Sequence, residues 1–141
     1  MKKLLVILII ILVNVIVLQA QNMLGSTYGE VRANYKSHNK EYSNWDEGSM
    51  SEVGSFYVVY TNKQYDYKMV CYFPNRKASA TVFKYVIIDS TSQINVYRKV
   101  FDEKYIKIDD NSWIDNNVGC TWELFIDGNL IFLEAYSINK D

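Results

Sequence analysis

Two alternating runs joined by a turn dipeptide dominate the C-terminal part of the chain: CTWELFI (Cys120–Ile126), DG (Asp127–Gly128) and NLIFLEAYSI (Asn129–Ile138). Asp-Gly between alternating runs predicts a β-hairpin, because both residue types tolerate a positive φ. The sheet to which this hairpin belongs therefore organises the fold.

The register of the hairpin depends on which two residues form its turn. A turn centred on Asp127-Gly128 pairs Trp122 with Leu133. A turn centred on Gly128-Asn129 would instead set Glu123 opposite Glu134, and two like charges facing each other are unfavourable. The sequence therefore favours the first register.

Three strands are predicted upstream, over Val53–Thr61, Tyr65–Phe73 and Ala80–Ile88, from their β-branched and aromatic residues. Short connections between them predict an antiparallel meander. The third strand is apolar on both faces, so we expect it to be central and covered on its second face.

Two helices are predicted from capping boxes, Thr27-x-x-Glu30 and Ser90-x-x-Gln93. The first helix should end between Lys36 and Tyr42. The second carries an apolar stripe that should cover the sheet (Ile94, Tyr97, Phe101, Tyr105). The predicted fold class is thus α+β: an N-terminal helix, a three-strand antiparallel meander, a second helix packed on the sheet, and a C-terminal β-hairpin.

The N-terminus has the three parts of a bacterial secretory signal: Lys2 and Lys3, an apolar run to Leu18, and the small residue Ala20. We expect residues 1–20 to be a signal peptide and residues 21–141 a single α+β domain that is exported, periplasmic or secreted. The alternative is an uncleaved membrane anchor, although a spanning helix needs about 20 apolar residues.

Composition narrows the class of partner. The chain has 15 basic and 16 acidic residues, and its basic residues are scattered, so no footprint for nucleic acid is present. Contact with a membrane is expected only through an uncleaved signal segment. The tyrosine, phenylalanine and tryptophan content favours strands over disorder.

The two cysteines, Cys71 and Cys120, fall on inward-facing positions of their strands. In an exported protein they could form one disulfide or remain as two small buried thiols, and both alternatives stay open. Neither resembles a catalytic thiol.

The search for catalytic and metal-binding residues is mostly negative. His38 is the one histidine, and it is expected to be solvated at a helix end. Asp109-Asp110-Asn111 with Asp115 lacks the spacing of an EF-hand loop. No cofactor is predicted, and the protein is expected not to be an enzyme. A pair of Asp or Glu residues acting in a hydrolase stays open, with no reason in the sequence to choose the pair.

The candidate binding residues are aromatic residues beside or within polar segments: Tyr42 and Trp45 around a predicted loop over 43–52, and Trp113 in a predicted loop over Asp109–Gly119. Exposed tryptophans are enriched as interface anchors and sugar platforms. The alternative is that each ring folds back over a sheet edge or a helix end.

The segment Leu24-Gly25-Ser26, with Glu30-Val31, resembles the helix start of small bacterial envelope proteins. These are outer-membrane-assembly lipoproteins of the SmpA/OmlA type and the β-lactamase-inhibitor-like fold that they share. The chain also resembles uncharacterised exported proteins of Bacteroidetes. The resemblance implies a small sheet preceded by helical segments and a role in binding other proteins; it assigns no functional residue.

These features together predict an exported, non-enzymatic binding module of the bacterial envelope, which contacts a protein or envelope component through aromatic loops. The alternatives are a small carboxylate-based hydrolase and a carrier of a small apolar or glycan ligand.

Overall fold

The computed structural model describes residues 23–50 and 55–138. The predicted signal peptide, residues 1–20, lies outside the described residues. Within the described ranges, no helix is long and apolar enough to cross a membrane.

The described chain forms two α-helices and eight strands. Helix α1 spans Tyr28–Ser37 and helix α2 spans Ile94–Lys104, preceded by a 3₁₀ turn over Thr91–Gln93. The strands are β1 (Tyr42–Met50), β2 (Ser55–Asn62), β3 (Lys68–Phe73), β4 (Lys84–Ser90), β5 (Ile106–Asp109), β6 (Ser112–Asp115), β7 (Cys120–Asp127) and β8 (Leu130–Ser137).

All eight strands belong to one antiparallel sheet, in the order β1-β2-β3-β4-β8-β7-β6-β5. The predicted layout of a helix, a three-strand meander, a helix and a hairpin is therefore wrong. Each half of the chain contributes a four-strand meander preceded by one helix, and the halves join where β4 pairs with β8.

The predicted layout is wrong because it omits strands that are polar or short. β1 reads Tyr-Ser-Asn-Trp-Asp-Glu-Gly-Ser-Met, and a bulge between Ser43 and Asp46 interrupts its alternation, with Asn44 at a φ of +58°. β6 has only four residues, within a segment predicted as a loop. Both are held in strands by pairing with a neighbour, which local composition does not reveal.

The hairpin β7–β8 is present, but its predicted register is wrong. Glu123 does face Glu134, and Trp122 faces Ala135. The turn is centred on Gly128-Asn129, with Gly128 at a φ of +57°. The like-charge pair is relieved because Lys84 lies 2.8 Å from Glu134 and Tyr136 donates a hydrogen bond to Glu123.

Both helices lie on the same face of the sheet. The capping box of α1 is confirmed, since Thr27 and Glu30 each satisfy a backbone N–H of the other. The second predicted box is wrong: Ser90 caps the N–H of Ser92, and Gln93 caps nothing. The expected central position of β4 is confirmed.

The core fills the space between the helices and the inner face of the sheet. Its largest wholly buried side chains are mostly aromatic (Trp113, Trp122, Tyr60, Tyr67, Tyr85, Phe73, Phe101). The sequence predicts that the second face of the sheet is covered as well. Among the described elements neither helix packs there, so we call this surface the open face.

Candidate functional site

Trp45 is not a loop residue. It lies in β1, half-buried, with its ring 4.8 Å from that of Tyr35 in α1 and stacked 5.9 Å from that of Tyr60. Its indole N–H donates to Glu47 at 2.9 Å, and Tyr28 donates to the same carboxylate oxygen at 2.7 Å. These contacts hold α1 against the edge of the sheet.

Trp113 is wholly buried in β6, contrary to the predicted loop. Its ring packs edge-on against Phe101 of α2 at 5.2 Å, and its indole N–H donates to Asp102 at 2.8 Å. Tyr42 is also buried, with its ring 5.2 Å from that of Tyr60. The structure therefore leaves neither ring exposed to a partner, and Trp45 is exposed only in part.

The two cysteines are free, buried thiols. Cys71 lies in β3 and Cys120 in β7, with β4 and β8 between them. Three strand spacings separate them by about 14 Å along the sheet, whereas a disulfide needs Cα atoms within about 7 Å. Burial raises the pKa of Cys120 to about 12, helped by the Asp115 carboxylate, and burial raises that of Cys71 further.

The open face carries a row of aromatic side chains that sequence reasoning did not single out. Tyr57, Tyr72 and Tyr136 lie at the same level on β2, β3 and β8, with Lys84 of β4 completing the row. The rings of Tyr57 and Tyr72 are 6.1 Å apart, and all three tyrosines are half-buried. Exposed Phe83 extends this row, with its ring 6.4 Å from that of Tyr72. We call these five side chains the aromatic row.

Tyr57 lies against β1, where Gly48 is its pairing partner. A Cβ atom at Gly48 would overlap the Tyr57 ring, so the ring occupies the space that any other residue would fill. The Tyr57 ring therefore lies along the sheet, with one side against Gly48 and the other side facing outward.

Polar groups stand among the rings. Lys84 forms an ion pair with Glu134 and also lies 5.6 Å from the centre of the Tyr72 ring. Tyr136 donates its hydroxyl to Glu123, and this hydrogen bond with burial raises the pKa of Tyr136 to about 12. The face thus combines aromatic surface with hydrogen-bonding groups of both charges.

A second concave feature lies at one end of the sheet, where β3, β4 and β8 meet the start of α2. It is a cleft of about 400 Å³ whose walls include apolar, acidic and basic side chains (Tyr65, Asp66, Lys68, Ile88, Asp89, Leu130), with Ser90 and Gln93 at the helix side. We call it the end cleft.

Asp89 is the most constrained group in the end cleft. It accepts hydrogen bonds from the Tyr97 hydroxyl at 2.8 Å and from the Ser90 N–H at 2.7 Å. Burial nevertheless raises its pKa, because desolvation outweighs these hydrogen bonds, and the nearby Asp66 carboxylate adds to the rise.

The remaining candidates from the sequence are a metal site and His38. In the part of the chain that the structure describes, no group of three or more His, Cys, Asp or Glu side chains could hold a metal ion. His38 is exposed at the end of α1, where its Nδ1 is 2.9 Å from the carbonyl oxygen of Asn34.

Comparison of the chain with protein-family models, with curated proteins and with solved structures gives no significant match. Alternation places Tyr72 on the opposite face from Cys71, but which face stays uncovered depends on where the helices pack, so the aromatic row could not be selected from the sequence. The end cleft could not be predicted either, because it joins residues from three strands and a helix start.

Proposed function

We propose that the protein is a non-enzymatic binding module that acts outside the cytoplasm and contacts an envelope component through its open face. The observation that carries the proposal is the aromatic row (Tyr57, Tyr72, Phe83, Lys84, Tyr136) on a sheet face that no described helix covers. The contact surface that we propose is therefore a face of the sheet, and not the loops predicted from the sequence.

The chemistry of the row favours recognition rather than catalysis. Tyrosine offers a rigid apolar ring and a hydroxyl at low entropic cost, and it is enriched in binding interfaces. Beside the row, two residues further along the strands, the same face carries Val59, Val70 and Val86. The row is itself held by the contact between the Tyr57 and Tyr72 rings and by the hydrogen bond from Tyr136 to Glu123, which lowers the cost of ordering these side chains on binding.

The charges on the open face suit a partner without strong charge. Lys84 is neutralised by Glu134, and Glu123 is engaged by Tyr136. Such pairs supply hydrogen-bond donors and acceptors but give the open face neither a net positive nor a net negative charge. A glycan or a polar protein surface matches this pattern better than a polyanion does.

The test compares retention of purified protein on isolated envelopes. The variant Tyr57→Ser/Tyr72→Ser should lose about ten-fold or more of its binding, because it removes two adjacent rings. The matched control, Ile106→Ser/Ile108→Ser, removes two exposed apolar side chains from edge strand β5 and should bind normally.

Equal retention of the two variants, with unchanged circular dichroism, would contradict the proposal. Treating the envelopes with a protease or with glycan hydrolases beforehand separates a protein partner from a glycan partner. N-terminal sequencing of the native product tests export: the expected first residue is Gln21, and a cytoplasmic product beginning at Met1 would refute it.

A further inference from the structure

The end cleft does not include any residue of the aromatic row. We propose that it binds a small zwitterionic ligand of about the size of a dipeptide, with the ammonium group toward Asp66 and Asp89 and the carboxylate toward Lys68. The ligand class follows from the charges in the cleft, its volume and its apolar wall.

The charges that line the cleft are not neutralised within the described structure. Among residues 23–50 and 55–138, no ion pair involves Asp66, Lys68 or Asp89. Opposite charges in one concavity that do not pair with each other can be satisfied together by a ligand that carries both. Two carboxylates and one ammonium group also make an anionic ligand unfavourable.

The volume and the walls set the size and polarity of the ligand. About 400 Å³ falls within the range of small-molecule sites, and is larger than a single small amino acid requires. Ile88 and Leu130 provide an apolar wall, and the Tyr65 ring, stacked 6.4 Å from that of Tyr67, provides an aromatic one. An apolar side chain between the two charged ends would match these walls.

The cleft is formed before any ligand arrives. Asp89 is fixed by Tyr97 and by the Ser90 N–H. Asp66, at a φ of +56°, is held in a turn in which Asn62 accepts the N–H groups of Gln64 and Tyr65 at 3.0 Å. The Thr91 N–H also bonds the Asn129 carbonyl at 3.0 Å, which ties the hairpin turn to the helix start. Preorganised walls lower the cost of binding.

The test is an NMR titration with three probes: glycyl-leucine, N-acetyl-glycyl-leucine and glycyl-leucine amide. The free dipeptide should shift amide signals around Lys68 and Asp89, and each capped probe should bind about ten-fold more weakly because one charge-assisted contact is lost. In the Lys68→Gln variant, glycyl-leucine should bind no more tightly than glycyl-leucine amide. Asp66→Asn should weaken the preference over the acetylated probe, and asparagine tolerates the left-handed backbone there.

Equal affinities for the three probes, or no shift of cleft amides at about 10 mM dipeptide, would overturn the inference. Asp89→Asn, with its folding checked by circular dichroism, gives a second variant for the ammonium end. The Tyr57→Ser/Tyr72→Ser variant should keep dipeptide binding, so failure of this site and failure of the open face are distinguishable.

Discussion

Two tryptophans donate their indole N–H to a carboxylate. Trp113 lies in the core, and Asp102 of α2 accepts its indole N–H. Trp45 reaches Glu47 in the same way, and the Tyr28 hydroxyl holds the pKa of Glu47 below its ordinary value. A buried ring with a satisfied N–H stabilises the fold, whereas the sequence alone places the same ring equally well in a binding loop.

The first prediction concerns Trp113. Trp113→Ala should lower the free energy of unfolding by about 3–5 kcal/mol, because it removes a wholly buried ring and leaves a cavity. Trp113→Phe is the matched control, with an expected loss of about 1–2 kcal/mol for the lost hydrogen bond and partial cavity. Urea denaturation measures both, and an alanine variant as stable as the wild type would place the ring outside the core.

The second prediction concerns Gly48 and Tyr57. Gly48→Ala should cost about 1–3 kcal/mol, because the new Cβ overlaps the ring that lies there. In a Tyr57→Ala background the same substitution should be neutral or stabilising by about 0.5 kcal/mol, since alanine is preferred to glycine within a strand. A thermodynamic double-mutant cycle checks this, and additive effects would show that the ring does not lie over Gly48.

At the scale of elements, the strand preference of the residue types predicts the strands that contain many apolar side chains. It does not predict the strands that are mostly polar. β2, β3 and β4 contain β-branched and aromatic residues, so their existence was predictable. β1 was not predictable because Asn44, Asp46 and Gly48 oppose strand structure. Pairing with β2 overrides that preference, and the bulge accommodates Asn44.

The hairpin shows a related limit. Charge repulsion between Glu123 and Glu134 was the reason to reject the observed register, yet Lys84 comes from β4, which is distant in sequence. Both registers place the same residues on the inner face, so burial did not discriminate between them. A local rule failed because a third strand supplied the counter-charge.

The junction between β4 and α2 gives the third prediction. Asp89 has a raised pKa from burial, so its contribution to stability is greatest at low pH and is lost as pH rises through the folded pKa. Asp89→Asn should therefore be more favourable relative to wild type at pH 7 than at pH 3, since asparagine keeps an acceptor for Tyr97 without the desolvated charge. Denaturant midpoints at the two pH values measure this difference, and a relative stability that is independent of pH would contradict it.

At the scale of the whole molecule, the sheet has one face that both helices cover and one face that neither described helix covers. Six of the twelve tyrosines are buried, whereas Tyr57, Tyr72 and Tyr136 lie half-buried on the open face. The sequence places tyrosines on both sides of strands by alternation, but which side is covered depends on where both helices pack. The candidate site could therefore not be selected from the sequence until the helices were placed.

The buried tyrosines make alkaline pH the condition that most directly tests this architecture. Burial raises the pKa of Tyr42 to about 12, and Tyr60 and Tyr85 are raised further by burial and by their neighbours. An unfolded phenol has a pKa of about 10. The stabilisation from these groups is therefore complete below pH of about 10 and is lost as pH rises toward the folded values.

Stability should fall between pH of about 10 and 12 by about 1.4 kcal/mol per pH unit for each phenol that ionises only on unfolding. Ultraviolet absorbance should show surface phenols titrating first and the buried ones together with loss of the circular dichroism signal. Tyr60→Phe should reduce the steepness of that second step by one proton. If all twelve tyrosines titrated smoothly near pH 10 in the folded protein, the buried aromatic core would be refuted.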